Sequence, residues 1–466
     1  MGLTDVLNAA RDAMAAQTFG ITVTGQNVSN VNTPGYVRRQ AQLVTRDMGP
    51  NSFGGVQAAG IQRVADRFVD QRHLALIGQS GEAATRDQLL GQAEALFNDF
   101  QGTGLGASIN ALFSSFSAVA ASPTDLTTRS AVLQNAQTFS EQVRTAAAQL
   151  QNFRTDLFSQ ARELTGQINS KLDAVAQLSG RINQAHATGE EAADLEDKRD
   201  AALVELGNLV EIHTYTDGNG QLVVQGPGVT LMQGDVARHL SIDIGDDGKL
   251  KVLANNVNAP SSSGNDITAH LSAGQLSGVL TVRDHDVVEM QSDLDAFAFQ
   301  VAGQINSVHA AGFGLDGSGG RALFTLSGSQ AGAAASLSLN AALKDHPELL
   351  GASSSPSEVP GNANQATALA KLGSTPIAAL GDLDPGQAYA RIVGSVGQRK
   401  ADAAATLDTR EAMTAQVEAM RQSISGVSLD EEMVALSKFQ RAFQAASRVF
   451  TTADQLLEEL LSTLGR

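Results

Sequence analysis

Both ends of the chain carry apolar residues at alternating steps of three and four. Near the start, Leu3, Ala10, Gln17, Thr24 and Val31 form one row, and Leu7, Met14, Ile21 and Val28 form the other. That seven-residue spacing predicts a helix that turns one stripe toward a partner. The run enters a patch of small polar residues, NVSNVNTPGY at 27–36, where Pro34 and Gly35 end it. Asn27, Asn30, Asn32, Pro34, Gly35 and Tyr36 mark this helix end.

The last segment repeats the pattern more strongly. Leu429, Met433, Leu436, Phe439 and Phe443 begin a stripe that continues through Ala446, Phe450, Ala453, Leu457, Leu460 and Leu464. Ser428 and Glu431 match a capping box, in which hydroxyl and carboxylate each satisfy an orphan backbone N–H. Asp430, Glu431 and Glu432 fall in the first turn, where the helix dipole favours negative charge. Such a helix is about 55 Å long. Neither terminal helix can bury its stripe alone. The economical arrangement pairs them with each other and with copies from neighbouring molecules, so the two stripes form the expected assembly interface.

Between the ends, residues 60–212 read as almost wholly helical. Ser122-Pro123-Thr124-Asp125 offers a helix start with Ser122 as cap and Pro123 at the first helical position. A stripe then runs from Leu133 to Ile182, and a second helix covers Asp194–Val210. Across 212–283 the period changes to two, with Gly-Asn and Asp-Gly turns, which predicts antiparallel strands; GVLTVRD at 278–284 is read as one of them. Helix resumes over Asp284–Ala311. Residues 312–390 are loop-rich with some strands, and a further helix covers Ala390–Gln422. The expected fold is mainly α with an inserted β domain, in a nested multi-domain order. Residues 1–40 and 427–466 make a discontinuous axial domain of paired terminal heptad helices. Residues 41–211 and 284–426 make a mostly helical middle domain with some strands, and 212–283 a small antiparallel β domain at the tip.

Composition narrows the function. Aromatics are 4% of the 466 residues, with no Trp. Ala, Gly, Ser and Gln abound, which suits helix interfaces of small residues. The net charge of −17 and the lack of a basic stripe argue against nucleic acid. The absence of cysteine excludes disulfides, thiolate catalysis and cysteine zinc sites. The first residues lack the basic start and apolar core of a signal peptide, and no apolar run is long enough to insert in a membrane.

No chemistry stands out. The eight His form no HxxxH or HExxH pair. Arg283-Asp284-His285-Asp286 alone sets a His among carboxylates, and a solvated helix start explains it. GFGLDGSGG at 312–320 lacks the Lys-Ser/Thr of a phosphate loop and reads as a turn. IDIGDDGKL at 242–250 departs from EF-hand spacing and reads as a hairpin. No catalytic, cofactor-binding or metal-ligating residues are assigned, and an enzyme is not expected.

NVSNVNTPGYVRRQ at 27–40 resembles the N-terminal signature of bacterial flagellar rod, hook and hook-associated axial proteins. SGVSLDEEMVALSKFQRAFQAASRVFTTADQLLEELL at 425–461 resembles the C-terminal signature of the flagellar hook-associated protein 1 family. GVQAAGIQRVADRFVDQR at 55–72, DLEDKRDAALVELGNLVEI at 194–212 and the run from Gly274 to Gly314 add to the likeness. The chain is short in its middle, so an outer domain seen in some relatives is expected to be missing. The resemblance implies a structural role at the hook–filament junction, with export through the flagellar type III apparatus. It implies a ring of copies of the chain, contacts with the flagellar hook protein and with the second hook–filament junction protein, and a cytoplasmic export chaperone on the C-terminal helix. It also implies terminal helices that are disordered in the free subunit and order on assembly. Another axial protein, hook or distal rod, is the nearest alternative, and the C-terminal run argues against it. A surface adhesin role for the β domain is more remote.

Overall fold

The computed structural model describes residues 2–46, 55–97, 104–255 and 264–464, with the side chain of Leu464 outside the description. Helix α1 (Leu3–Ser29) is followed by a hairpin of β1 (Arg39–Thr45) and β2 (Val56–Arg63), then by helices α2 (Arg67–Leu96), α3 (Leu105–Ala121), α4 (Leu126–Thr188) and α5 (Ala193–Leu209). Seven short strands come next: β3 (His213–Thr216), β4 (Leu222–Gly226), β5 (Val229–Gln233), β6 (Val236–Ala237), β7 (Leu240–Ile244), β8 (Leu250–Ala254) and β9 (Asn265–Asp266). Helices α6 (Gln275–Thr281) and α7 (Val287–Ala310) follow. The loop-rich part then holds β10 (Phe324–Thr325), α8 (Ala333–Ser336), β11 (Ser338–Leu339) and α9 (Asn364–Leu372), before α10 (Pro385–Ser425) and α11 (Leu429–Leu464).

Long helices dominate because their apolar residues recur at helical spacing. In α4 the buried side run includes Val132, Phe139, Val143, Leu150 and Leu157, all facing one way. Its start differs from the expectation at Ser122 and Pro123. Ser122 instead closes α3, and Asp125 caps α4 by accepting the Thr127 N–H at 2.9 Å. A carboxylate at this position also favours the helix dipole.

The strands form antiparallel sheets in the orders β3-β4-β5-β6 and β7-β8-β9. They do not stand apart at a tip. Leu231, Leu240 and Val252 share one core with Leu157 and Ile168 of α4, and the Asn169 side chain bonds both the N–H and the C=O of Leu240 at 2.7 and 2.9 Å. Residues 278–284, read from sequence as a strand, are helical and pass through a π-turn at Val282–Asp286. Gly274, at φ +88°, donates to the Gly78 carbonyl at 2.8 Å. A Cβ there would meet the Val210 Cα at 2.5 Å. That close docking sets Leu276, Val279 and Leu280 into the core at helical spacing, and burial overrides the β preference of Val279, Thr281 and Val282. Residues 60–63, expected to be helical, belong to β2.

The core centre joins Phe139, Phe297 and Phe324. Their ring centroids lie 6.4 and 5.7 Å from Phe139. The terminal helices α1 and α11 lie outside it, packed against each other.

Candidate functional site

Helices α1 and α11 run antiparallel. Asn27 meets Glu432, Gly20 meets Phe439, and Leu3 and Val6 lie beside Val449 and Leu456. The buried residues of α1 are Ala10, Ala16, Gly20, Val23, Thr24 and Asn27. Of the two rows expected from sequence, the first contributes the buried Ala10 and Thr24, whereas Leu7, Met14, Ile21 and Val28 of the second are not fully buried. Those four are half-buried, as are Leu3 and Val31. Position 20 is a glycine because the backbones approach closely there. A Cβ on Gly20 would lie 2.7 Å from the Phe439 ring.

On α11, Leu436, Phe439, Phe450 and Leu457 are half-buried toward α1, whereas Leu429, Met433, Phe443 and Leu460 are exposed. Val434 and Leu461, outside the expected stripe, are exposed as well. Among the described residues of α11, Glu432 and Ala453 alone are fully buried. By contrast α3, half as long, buries Leu105, Ile109, Leu112, Phe113, Phe116 and Val119. Two apolar grooves also run between α1 and α11, one beside Leu3 and Leu456, the other beside Ala13 and Ala446.

The polar patch at 27–36 forms the joint between this pair and the rest of the molecule. The helix stops at Ser29, with the Asn30 N–H bonded to Gln26 O at 3.0 Å. Asn30 and Thr33 bond each other at 3.1 Å, and Gly35 at φ +80° reverses the chain. Asn32 and Pro34 are exposed on this turn. Asn27 points inward. Its Nδ2 donates to Arg39 O at 2.8 Å and to Glu432 Oε2 at 2.9 Å, and its Oδ1 accepts the Arg39 N–H at 3.0 Å and the Tyr36 hydroxyl at 2.9 Å. The amide is thereby saturated.

Charged residues extend the joint. Arg38 donates to Glu432 at 2.7 Å and to Glu431 at 2.6 Å. The capping box expected of Ser428 and Glu431 is corrected here: the Glu431 carboxylate is committed to Arg38, and Ser428 contributes its main-chain carbonyl, which accepts the Glu432 N–H at 3.0 Å. Sequence gave no sign of Arg38 as the partner, because pairing 393 positions apart is visible only after folding. Arg39 donates to Asp194 at 2.5 Å and Asp197 at 2.8 Å, and its guanidinium lies 4.7 Å from the Tyr36 ring centroid. Arg63 reaches Asp197 and Asp200 at 2.7 and 2.6 Å. Burial works against the charge on Arg39 and Arg63, yet their carboxylate partners carry both pKa values above the ordinary one. Burial pushes the Asp197 carboxyl up against the pull of Arg63 and Arg39, and raises the Tyr36 hydroxyl too. The joint therefore clamps the hairpin, α5 and both terminal helices through matched charges.

The other motifs resolve into structure. Asp284 accepts the Leu250 N–H at 2.8 Å, and Asp286, fully buried, is held by Arg399 at 3.0 Å and Arg86 at 3.4 Å. Asp316 accepts the Ser318 N–H at 3.0 Å within the glycine-rich turn. Asp247 accepts the Lys249 N–H at 3.1 Å in the β7–β8 hairpin. Among the described residues no cluster of His and carboxylates is arranged to hold a metal, and no helix is long and apolar enough to cross a membrane.

Comparison with known proteins bears on this arrangement. The family described as "Flagellar hook-associated protein FlgK helical domain" matches residues 90–324, and "Flagellar basal body rod FlgEFG protein C-terminal" matches 421–463. The chain is similar to flagellar hook-associated protein 1 of Bacillus subtilis (strain 168), 26% identical over 98% of each chain. It is similar to the protein of the same name from Salmonella typhimurium, 25% identical over 70% of this chain and 60% of that one. The solved flagellar hook junction protein FlgK from Burkholderia pseudomallei shares the fold, with a TM-score of 0.66 over 76% of this chain and all of that one, at 17% identity.

Proposed function

The chain belongs to the flagellar hook-associated protein FlgK family, and from that premise we propose how its two ends build a junction. It is a structural protein of the flagellar hook–filament junction, and its relatives are structural proteins of the flagellum rather than enzymes. Membership in this family implies assembly into the flagellar axial structure.

In this reading, copies of the chain form a ring at the distal end of the hook. The terminal helices form its inner wall, the hook protein lies on one side and the second junction protein on the other. A cytoplasmic chaperone covers α11 before export. The observation that carries the reading is the shallow burial of α11, in which Leu429, Met433, Val434, Leu460 and Leu461 remain exposed while, among its described residues, only Glu432 and Ala453 are fully buried. Ordering such helices costs conformational entropy. Covering their outer faces with neighbours offsets it, at about 25 cal/mol per Å² of apolar surface. A single subunit recovers little of that, whereas a subunit docked among others recovers much more, which confines assembly to the growing end.

Deletion of 428–466, or Leu457→Asp, tests the reading. Electron microscopy of the mutant strain is expected to show hooks without filaments, while the middle of the isolated protein keeps its thermal transition. Normal filaments on either mutant would overturn it. Amide exchange on the free protein is expected to show 1–33 and 428–466 less protected than α4, because the α1–α11 pair opens before the middle of the molecule does.

A further inference from the structure

The outer face of α11 carries its charges in blocks. Lys438, Arg441 and Arg448 stand along the middle, and Asp454, Glu458 and Glu459 along the distal end, all exposed. Among the described residues none of these six side chains makes an ion pair or a side-chain hydrogen bond. A helix that stabilises itself interleaves opposite signs three or four residues apart. From Glu432 to Glu459, no base lies that close to an acid.

The acids at the start of α11 are already engaged, since Glu431 and Glu432 both close on Arg38. The distal acids have no such partner. Helix α1 does not supply one, because its single base, Arg11, pairs with Asp12 of its own helix at 3.5 Å. Leu3 lies beside Leu456, so α11 runs past the start of α1 for about two turns, and Glu458 and Glu459 project beyond it.

We propose that the basic middle block of α11 receives the acidic distal block of α11 from a second copy of the chain, and that this contact fixes the axial stagger between neighbouring subunits. The block centres are about 15 residues apart, so two parallel copies match when displaced by about 22 Å along the axis. Parallel copies at the same level would set like charges against each other. Exposed ion pairs add little affinity singly, but like-charge contact excludes the wrong register, as flanking charges do in coiled coils. The exposed Val434, Leu456 and Leu461 supply the adhesion that the charges align. The inference rests on the junction reading and adds the register to it.

The test uses purified full-length chains, isolated hooks, and counts of capped hook ends by electron microscopy. Replacing the distal acids together (Asp454→Lys, Glu458→Lys, Glu459→Lys) is expected to lower capping about tenfold at low salt. Adding Lys438→Glu, Arg441→Glu and Arg448→Glu to the same chain is expected to restore it to within about threefold, because the pattern is inverted but still complementary. The thermal transition of the middle of each variant controls for folding. An acid-block variant that caps like the parent overturns the inference, and so does a combined variant that caps no better than the acid-block variant. A parent chain that leaves hooks bare overturns the junction reading itself, and the register with it.

Discussion

Asn27 and Glu432, 405 positions apart, share a buried hydrogen bond of 2.9 Å. The bond ties the last turn of α1 to the first turn of α11. It also explains an Asn at a place where an apolar residue would continue the helical stripe. Its amide answers the N–H and the C=O of Arg39, which no helix or strand partner reaches. Asn27→Ala strands both groups, and the expected loss of stability is about 2–4 kcal/mol. Asn27→Asp sets a carboxylate against Glu432 and is expected to cost more at pH 7 than at pH 4. Urea unfolding followed by circular dichroism measures both, and an Asn27→Ala midpoint equal to the parent's would refute the assignment.

Gly20 gives a prediction of opposite sign to helix propensity. On an isolated helix, Gly→Ala is stabilising by about 1 kcal/mol. Here the new methyl meets the Phe439 ring at 2.7 Å, so Gly20→Ala is expected to destabilise by about 1–3 kcal/mol through overpacking. Phe439→Leu in the same chain should recover part of the loss. Additive effects in the double-mutant cycle would show that the two residues do not touch as described.

Much of this was legible in the sequence, and the misses have physical reasons. The heptad spacing of both ends and the helical stripe of α4 follow from residue type alone. The centre of the α1 seam did not, because the spacing argument weighs large side chains. The chain instead buries Gly20 and Asn27 there, together with Ala10 and Thr24, which the spacing does place in one row. The helix at 275–281 was missed because Val279, Thr281 and Val282 favour strands locally, while the docking of Gly274 on α2 decides their conformation. The joint was half legible: the turn at 30–35 follows from Pro34 and Gly35. The pairing of Arg38 with Glu432, and of Arg39 with Asp197, needs the fold to bring distant segments together.

His309 links stability to pH. It is fully buried, its Nδ1 donates to Arg321 O at 2.7 Å, and its Nε2 accepts the Gly351 N–H at 3.0 Å. A second proton would set an N–H against that N–H. Burial accordingly holds the pKa below the ordinary value of 6.5. As pH falls through about 6.5, the unfolded chain takes up a proton that the folded one refuses. Stability therefore falls on acidification, until the folded imidazole also titrates. His73 is shifted in the same direction by burial, against the pull of Glu418, and adds to the effect. Melting temperatures of the parent between pH 7.5 and 5 are expected to drop. His309→Gln should start lower at pH 7.5 and drop less, and equal slopes for the two chains would refute the assignment.

The joint contains two kinds of ion pair, and salt should separate them. Asp197 is nearly buried between Arg39 at 2.8 Å and Arg63 at 2.7 Å, and Arg39 is itself buried. Asp197→Asn keeps the shape but removes the shared charge between the two guanidiniums, leaving Arg39 only the exposed Asp194 and Arg63 the partly exposed Asp200 and Glu196. The expected cost is about 3 kcal/mol. Because water and ions reach this site poorly, most of that cost should persist in 1 M salt, where the Debye length is about 3 Å. Glu431 presents the contrast, since its carboxylate is 62% exposed against Arg38. Glu431→Gln should cost less than about 1 kcal/mol at low salt, and almost nothing at high salt. Urea midpoints of both variants at low and high salt measure the difference. If the Asp197→Asn deficit vanished in salt, the clamp between α5 and the hairpin would be a surface contact, and the terminal pair would be free to swing about the turn at 30–38.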